Sequence, residues 1–328
     1  MAVPAGIRMH RAGAWGRFLC VALLGWSWGS VFSAEPTQPA APSPLWAHGN
    51  LHAWCVVAYD LKRRTPDERA QMLHDLGFTR FVYDWRDKDV PTFDAELDAL
   101  QKHGITLTGW WCPPTANDPK TKLILETCKR HDIHPQLWVR GGGTPTRTPE
   151  EQQQRVAQET ERIKALATLA APYGCKIELY NHNGWFGQED NQLAIIERLA
   201  TLGITDVGMV YNFAQAHDNL HDDTLDFPAV WQRIRSHVVA VNITGVAVNA
   251  LYSPNSPAHR MFIPSQGERE LAMMRVIQDS GWNGSIGLIA EKNGESDAAL
   301  TLKDYLTGFD WLAAELHQPG SGGPRPTF

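Results

Sequence analysis

Cysteine is scarce in this chain: five in 328 residues, at positions 20, 55, 112, 128 and 175, with no pair in C-x-x-C spacing. That excludes a disulfide-stapled miniature scaffold and a cysteine-rich zinc module, and leaves Cys55, Cys112, Cys128 and Cys175 to be read as buried structural thiols. A Gly-rich phosphate turn is missing after the first strand-like run, where "LKRRTPDE" stands instead, which argues against a dinucleotide-binding open sheet. Basic residues are not in excess: 30 Lys and Arg face 36 Asp and Glu. A net negative chain has no electrostatic reason to gather phosphate backbones, so nucleic acid is excluded as the expected partner. Beyond residue 34, no apolar run is long enough to span a bilayer.

The N-terminus differs from the rest. Arg8, Arg11 and Arg17 precede the apolar run "FLCVALLGWSWGSVF", which ends in the small residues Ser33 and Ala34. Residues 1–34 are therefore expected to be a signal peptide, cleaved after Ser33 or Ala34. A retained membrane anchor is the competing reading, but the run falls short of the roughly 20 residues that cross a bilayer. The expected location is periplasmic or secreted, with no stable membrane span after cleavage. Residues 35–46 contain "EPTQPAAPSP" and read as a Pro-rich linker, leaving 47–328 as one domain. Without the three leader arginines, 27 basic residues face 36 acidic ones, a formal charge of −9.

A phrase recurs through that domain: "HDLGFTRFVYDW", "QKHGITLTGWW", "APYGCKIELYN", "ATLGITDVGMVYNF", "QDSGWNGSIGLI". Each is a helix end, a Gly, then an apolar strand. Gly suits the left-handed residue that ends a helix. Strands are predicted at 51–59, 80–85, 106–111, 135–140, 176–182, 206–213, 238–244 and 285–291. Helices are predicted at 66–76, 92–103, 118–131, 149–171, 188–201, 225–236, 267–279 and 297–316. Eight βα units in roughly 280 residues predict an α/β fold, a single (β/α)8 TIM barrel. A doubly wound open sheet is the rival.

Barrel sites lie where strands end, and alternate residues point inward. In "KIELYNHNGWFG" (176–187), Ile177 and Leu179 suit the helix side, so Glu178, Tyr180 and His182 are expected to face in. The same parity brings in Asn212, Asn242 with Thr244, Glu291, Trp138 and Arg140. Trp110 ends the third strand, and Tyr83, Asp84 and Trp85 end the second. Carboxylates and amides beside aromatic faces suit a polyol: amides bond hydroxyls and rings cover the apolar faces of a sugar. A small-molecule sugar is thus the expected partner. Glu178 and Glu291 are the expected proton carriers. Trp110, Trp138, Arg140, Tyr180, His182, Asn212 and Asn242 are the expected substrate contacts. "QAHDNLHDD" (215–223), with His217, Asp218 and His221, has a metal-like composition but equally fits a solvated loop.

The phrases "LGFTRFVYDWRDKDVPTFDAELDALQKHGI", "LYNHNGWFGQEDNQLAIIERL", "DVGMVYNFAQAHD" and "IPSQGERELAMMRVIQDSGWNGSIGLI" resemble the sugar phosphate isomerase/epimerase superfamily, the xylose-isomerase-like TIM barrels, in an exported bacterial branch. The resemblance covers about residues 50 to 315. It implies a metal tetrad of Glu, Asp, His and Glu at the ends of strands five to eight, with the two glutamates moving a proton beside a carbonyl. This chain departs from that pattern. Glu178 or Tyr180 falls at the first place, Asn212 at the second, Asn242 at the third, and Ile289 or Glu291 at the fourth; Gln215 stands where a His often does. Glu178, Asn212 and Asn242 are then the candidate ligands of one weakened site for Mn, Mg or Zn, or of no metal at all. Barrels of this kind often pair, and the oligomeric state stays open.

Three functions are carried forward. One is an exported sugar isomerase, epimerase or related lyase acting on a free or keto sugar. Another is a metal-free glycoside-processing enzyme using Glu178 and Glu291. The third is a non-catalytic sugar-binding barrel.

Overall fold

Eight strands pair in parallel, each with the next in the chain, and the last returns to the first. The computed structural model describes residues 43–182, 184–215, 226–246, 262–292 and 294–328. The expected signal peptide, most of the linker, Asn183, His217, Asp218 and His221 lie outside the described residues. The strands are β1 (Leu51–Trp54), β2 (Arg80–Tyr83), β3 (Thr106–Trp111), β4 (Gln136–Val139), β5 (Lys176–Tyr180), β6 (Val207–Asn212), β7 (Val238–Ile243) and β8 (Ser285–Ile289). The helices between and after them are α1 (Pro66–Asp75), α2 (Phe93–Lys102), α3 (Pro119–Arg130), α4 (Pro149–Ala170), α5 (Glu189–Thr201), α6 (Phe227–Ile234), α7 (Glu270–Asp279) and α8 (Ala298–His317). This is the expected (β/α)8 barrel and not the open sheet.

Three helices begin where the sequence supplies a cap directly before a Pro. Thr65 accepts the Glu68 amide and the Glu68 carboxylate accepts the Thr65 amide, a reciprocal box ahead of Pro66. Thr148 and Asp118 cap α4 and α3 in the same setting. The recurring glycines end helices as expected: Gly77 and Gly203 have φ of 81° and 78°.

β1 falls furthest short of its expected length. β1 stops at Trp54 rather than running to residue 59. Cys55 turns to φ 56°, and the amides of Val56, Val57 and Ala58 then point at the Asp84 carboxylate, at 3.0, 3.1 and 3.2 Å. A carboxylate that collects three amides ends the strand, because those amides no longer face a neighbouring strand.

The barrel interior is layered by the twofold period of the strands. Glu178 lies between Trp138 and Gly208 in register, and Tyr180 lies one layer nearer the C-terminal ends, beside Val210. Gly208 is needed there: a Cβ would overlap Glu178 Oε2. In the interior His52 meets Asn242 Oδ1 at 3.2 Å, and its ring stands edge-on to Trp138 at 5.6 Å. Burial pushes the His52 pKa down to about 4, so the ring is neutral.

Glu178 is 2% exposed, and its Oε2 has no hydrogen-bond partner. Burial pushes its pKa up to about 8. Its ordinary value is 4.5, so between these limits the folded chain holds a proton that the unfolded chain releases. The stability this confers is complete below the unfolded value and is lost as pH rises through the folded one. Glu178→Gln, which cannot ionise, is therefore expected to gain on the wild type by at least about 1 kcal/mol between pH 5 and pH 9 in urea unfolding. A difference between the two proteins that stays constant over that range would show that Glu178 titrates normally.

Candidate functional site

A cavity of about 600 Å³ opens at the C-terminal ends of the strands. Aromatic rings form its floor and one wall. Tyr180 stacks on the buried Trp138, with centroids 5.9 Å apart and planes at 16°. Trp54 and Trp111 meet Tyr180 edge-on at 5.4 and 5.0 Å. Trp85 Nε1 donates to the Trp111 carbonyl at 2.7 Å, which fixes the rim. Rings that interlock edge-to-face hold their positions without a ligand.

Polar groups are set into this frame. Asp84 is buried and occupied by the three amides of residues 56–58, so it shapes the mouth rather than offering a free base. The Cys55 thiol sits beside Asp84 and Glu291. Burial, then these two acids, push its pKa well above the ordinary value, so it stays a thiol. Glu291 follows β8 and is half-buried in the cavity wall. Burial raises its pKa, the Tyr59 hydroxyl opposes that rise, and the Asp84 charge adds to it. Tyr180 accepts a hydrogen bond from Asn212 Nδ2 at 2.5 Å, leaving its own O–H to be donated elsewhere. Burial, the largest effect, raises its pKa well above that of a free phenol, so it stays protonated.

Of the residues expected from sequence, Arg140, Tyr180, His182 and Glu291 line the cavity together. Asn212 lies just beneath and holds Tyr180. Asn181 ties β5 to β6: its Oδ1 accepts the Asn212 amide at 2.8 Å and its Nδ2 donates to the Asn212 carbonyl at 3.2 Å. Four of the expected residues need correction. Glu178 is below the Tyr180 layer and does not line the cavity, because it is two residues short of the strand end. Asn242 and Trp138 are also interior residues, fully buried and absent from the cavity wall. Trp110 points outward, against Phe93 of α2 at 5.0 Å and Tyr83 at 5.5 Å; the alternation of β3 brings its neighbour Trp111 to the cavity. Trp54, Cys55 and Tyr59 also line the cavity and had not been singled out. A positive φ at a Cys carries no local sequence signal, whereas Asp84 was visible by its place at the end of β2.

The candidate ligand set does not fit a divalent ion. Asn212 Oδ1 accepts the Ala214 amide at 2.9 Å, and Asn242 Oδ1 is engaged with His52. Glu178 is a buried acid in another layer. Among the described residues no three His, Cys, Asp or Glu side chains converge as a metal site would require. Nor do Glu178 and Glu291 share a cavity, so they do not form the carboxylate pair of a glycosidase.

No protein-family model matches the chain, and no curated protein matches it. Solved structures do. The IolI protein with a bound zinc atom is similar at 15% identity over 81% of this chain and 98% of its own, with a TM-score of 0.61. The 3-keto-D-glucoside 4-epimerase YcjR from E. coli is similar at 16% identity over 80% and 98%, with a TM-score of 0.56. A xylose isomerase-like TIM barrel protein from Mycobacterium smegmatis, in complex with magnesium, is similar at 12% identity over 81% and 97%, with a TM-score of 0.52. At such identities the likeness is one of fold, and the chain has the fold of the xylose-isomerase-like TIM barrels.

Proposed function

We propose that this chain is an exported sugar isomerase or epimerase that moves a proton next to the carbonyl of a free or keto sugar. The observation that carries the reading is the mouth cavity itself, where a half-buried carboxyl, Glu291, and a protonated phenol, Tyr180, meet on an aromatic floor. A sugar laid on Trp54 and Trp111 covers their faces with its C–H groups and turns its hydroxyls to the polar wall. The Glu291 carboxylate takes the proton from the carbon beside the carbonyl. The electron pair of that C–H bond moves into the carbon framework, and the carbonyl oxygen becomes an enolate. The Tyr180 O–H donates to that oxygen, and Asn212 keeps the phenol in place. Return of that proton to the neighbouring carbon, as the adjacent hydroxyl passes its own proton to the enolate oxygen, gives an isomer; delivery of a proton from water to the opposite face of the same carbon, while Glu291 releases its proton to water, gives an epimer. A raised Glu291 pKa makes its carboxylate a stronger base than a solvated one. A carboxylate base also sets the pH profile: turnover is expected to rise with pH, with a midpoint above the ordinary 4.5.

Glu291→Gln is expected to lower kcat on a panel of aldoses and ketoses by about a hundredfold or more. Tyr180→Phe is expected to lower kcat with little change in KM, since the enolate needs the O–H more than the ground state does. Full turnover in Glu291→Gln would end this reading. Sugar binding with no turnover in the wild type would make the chain a binding barrel.

Two of the similar structures hold zinc or magnesium, but the described donor set does not fit such an ion. Dialysis against EDTA is accordingly expected to leave turnover unchanged. Loss of activity restored by Mn2+ would return the site to the chemistry the resemblance implies.

A further inference from the structure

On the reading of the mouth as a sugar site, we infer that the sugar carries a carboxylate, as a hexuronate or its keto form does, and that Arg140 binds that group. The first support is position. In a closed ring of eight strands β4 lies opposite β8, so Arg140, just after β4, faces across the mouth from Glu291, just after β8. The aromatic floor lies between them. A sugar whose carbonyl end reaches Glu291 presents its far end to Arg140.

The second support is charge. Among the described residues, the other charges near this side of the cavity are already occupied. Lys120 pairs with Asp87 at 2.8 Å. Asp118 caps α3, accepting the Lys120 amide at 2.9 Å. Asp84 is filled by three amides, and Arg86 donates Nη1 to the carbonyls of Asp84 and Trp85. Arg140 alone lines the cavity with a guanidinium that makes no hydrogen bond or ion pair to the described residues. A planar guanidinium matches a planar carboxylate in two parallel bonds. A phosphate dianion is less well served. The N-terminus of α3, which would otherwise attract one, is closed by the Asp118 carboxylate, and Asp87 pairs with Lys120 beside it.

The third support is rigidity. Arg140 opens the run Gly141–Gly143, and that run is pressed against the loop after β5. The Trp185 amide donates to the Gly143 carbonyl at 2.8 Å, and the Phe186 amide to that of Gly142 at 3.3 Å. A Cβ at Gly141 would overlap the Phe186 ring. The glycines therefore bring two loops into contact, and the backbone that carries the guanidinium is held at the rim.

The test uses the purified full chain, with binding by calorimetry and turnover by NMR, on D-glucuronate and D-galacturonate, the matched hexoses, and hexose 6-phosphates. The wild type is expected to favour a uronate over its hexose by about tenfold or more. Arg140→Gln is expected to remove that preference, and Arg140→Lys to restore part of it. Equal handling of uronate and hexose by the wild type overturns the inference, as does preference for the phosphate or equal loss on both sugars in Arg140→Gln. The two readings separate cleanly. Uronate binding that depends on Arg140 without turnover keeps this inference and ends the isomerase reading. Turnover of neutral hexoses that depends on Glu291, with no uronate preference, does the reverse.

Discussion

The mouth of this barrel depends on the Asp84 carboxylate and the three amides that it gathers. A buried carboxylate must be met by donors, and the backbone after β1 supplies them. That demand bends the chain at Cys55 into a conformation rare outside glycine. The bend ends β1 four residues after it begins, brings the Cys55 thiol to the wall, and brings Tyr59 towards Glu291. Asp84, Cys55 and Tyr59 all line the cavity, so this one carboxylate shapes the wall where the proposed chemistry is placed.

Below that cavity the Tyr180 layer divides the barrel in two. Above it lie Glu291, His182 and Arg140; below it lie Glu178, His52 and Asn242, buried and held in uncharged forms. The resemblance to metal-dependent barrels places ligands at the ends of β5 to β7, and it is there that this chain has Tyr180, Asn212 and Asn242. Their amides serve internal hydrogen bonds. Asn212 in particular donates to the Tyr180 hydroxyl.

Most of the fold was legible in the sequence, because Gly-ended helices and short apolar strands are local signals that each unit repeats. The helices expected from 66, 118 and 149 start at Pro66, Pro119 and Pro149, and the inward parity of β5 placed Tyr180 and His182 in the right wall. Parity says which way a side chain points but not how deep it lies. That is why Glu178 and Asn242 were expected at the mouth and are found in the interior. Parity also fails when the strand end is misjudged: Trp110 and Trp111 exchange roles with a one-residue change, and the Cys55 turn comes from a carboxylate 29 positions later in the chain.

The floor has one more consequence. Trp54, Trp111 and Trp138 cluster around a single tyrosine, and Trp54 and Trp111 reach the cavity. A sugar bound there, as proposed, would replace water against the indoles and change the polarity that their excited states sense. Occupancy is therefore written into the ultraviolet emission of the protein itself, and an unlabelled ligand can be followed by light from the surface on which it rests.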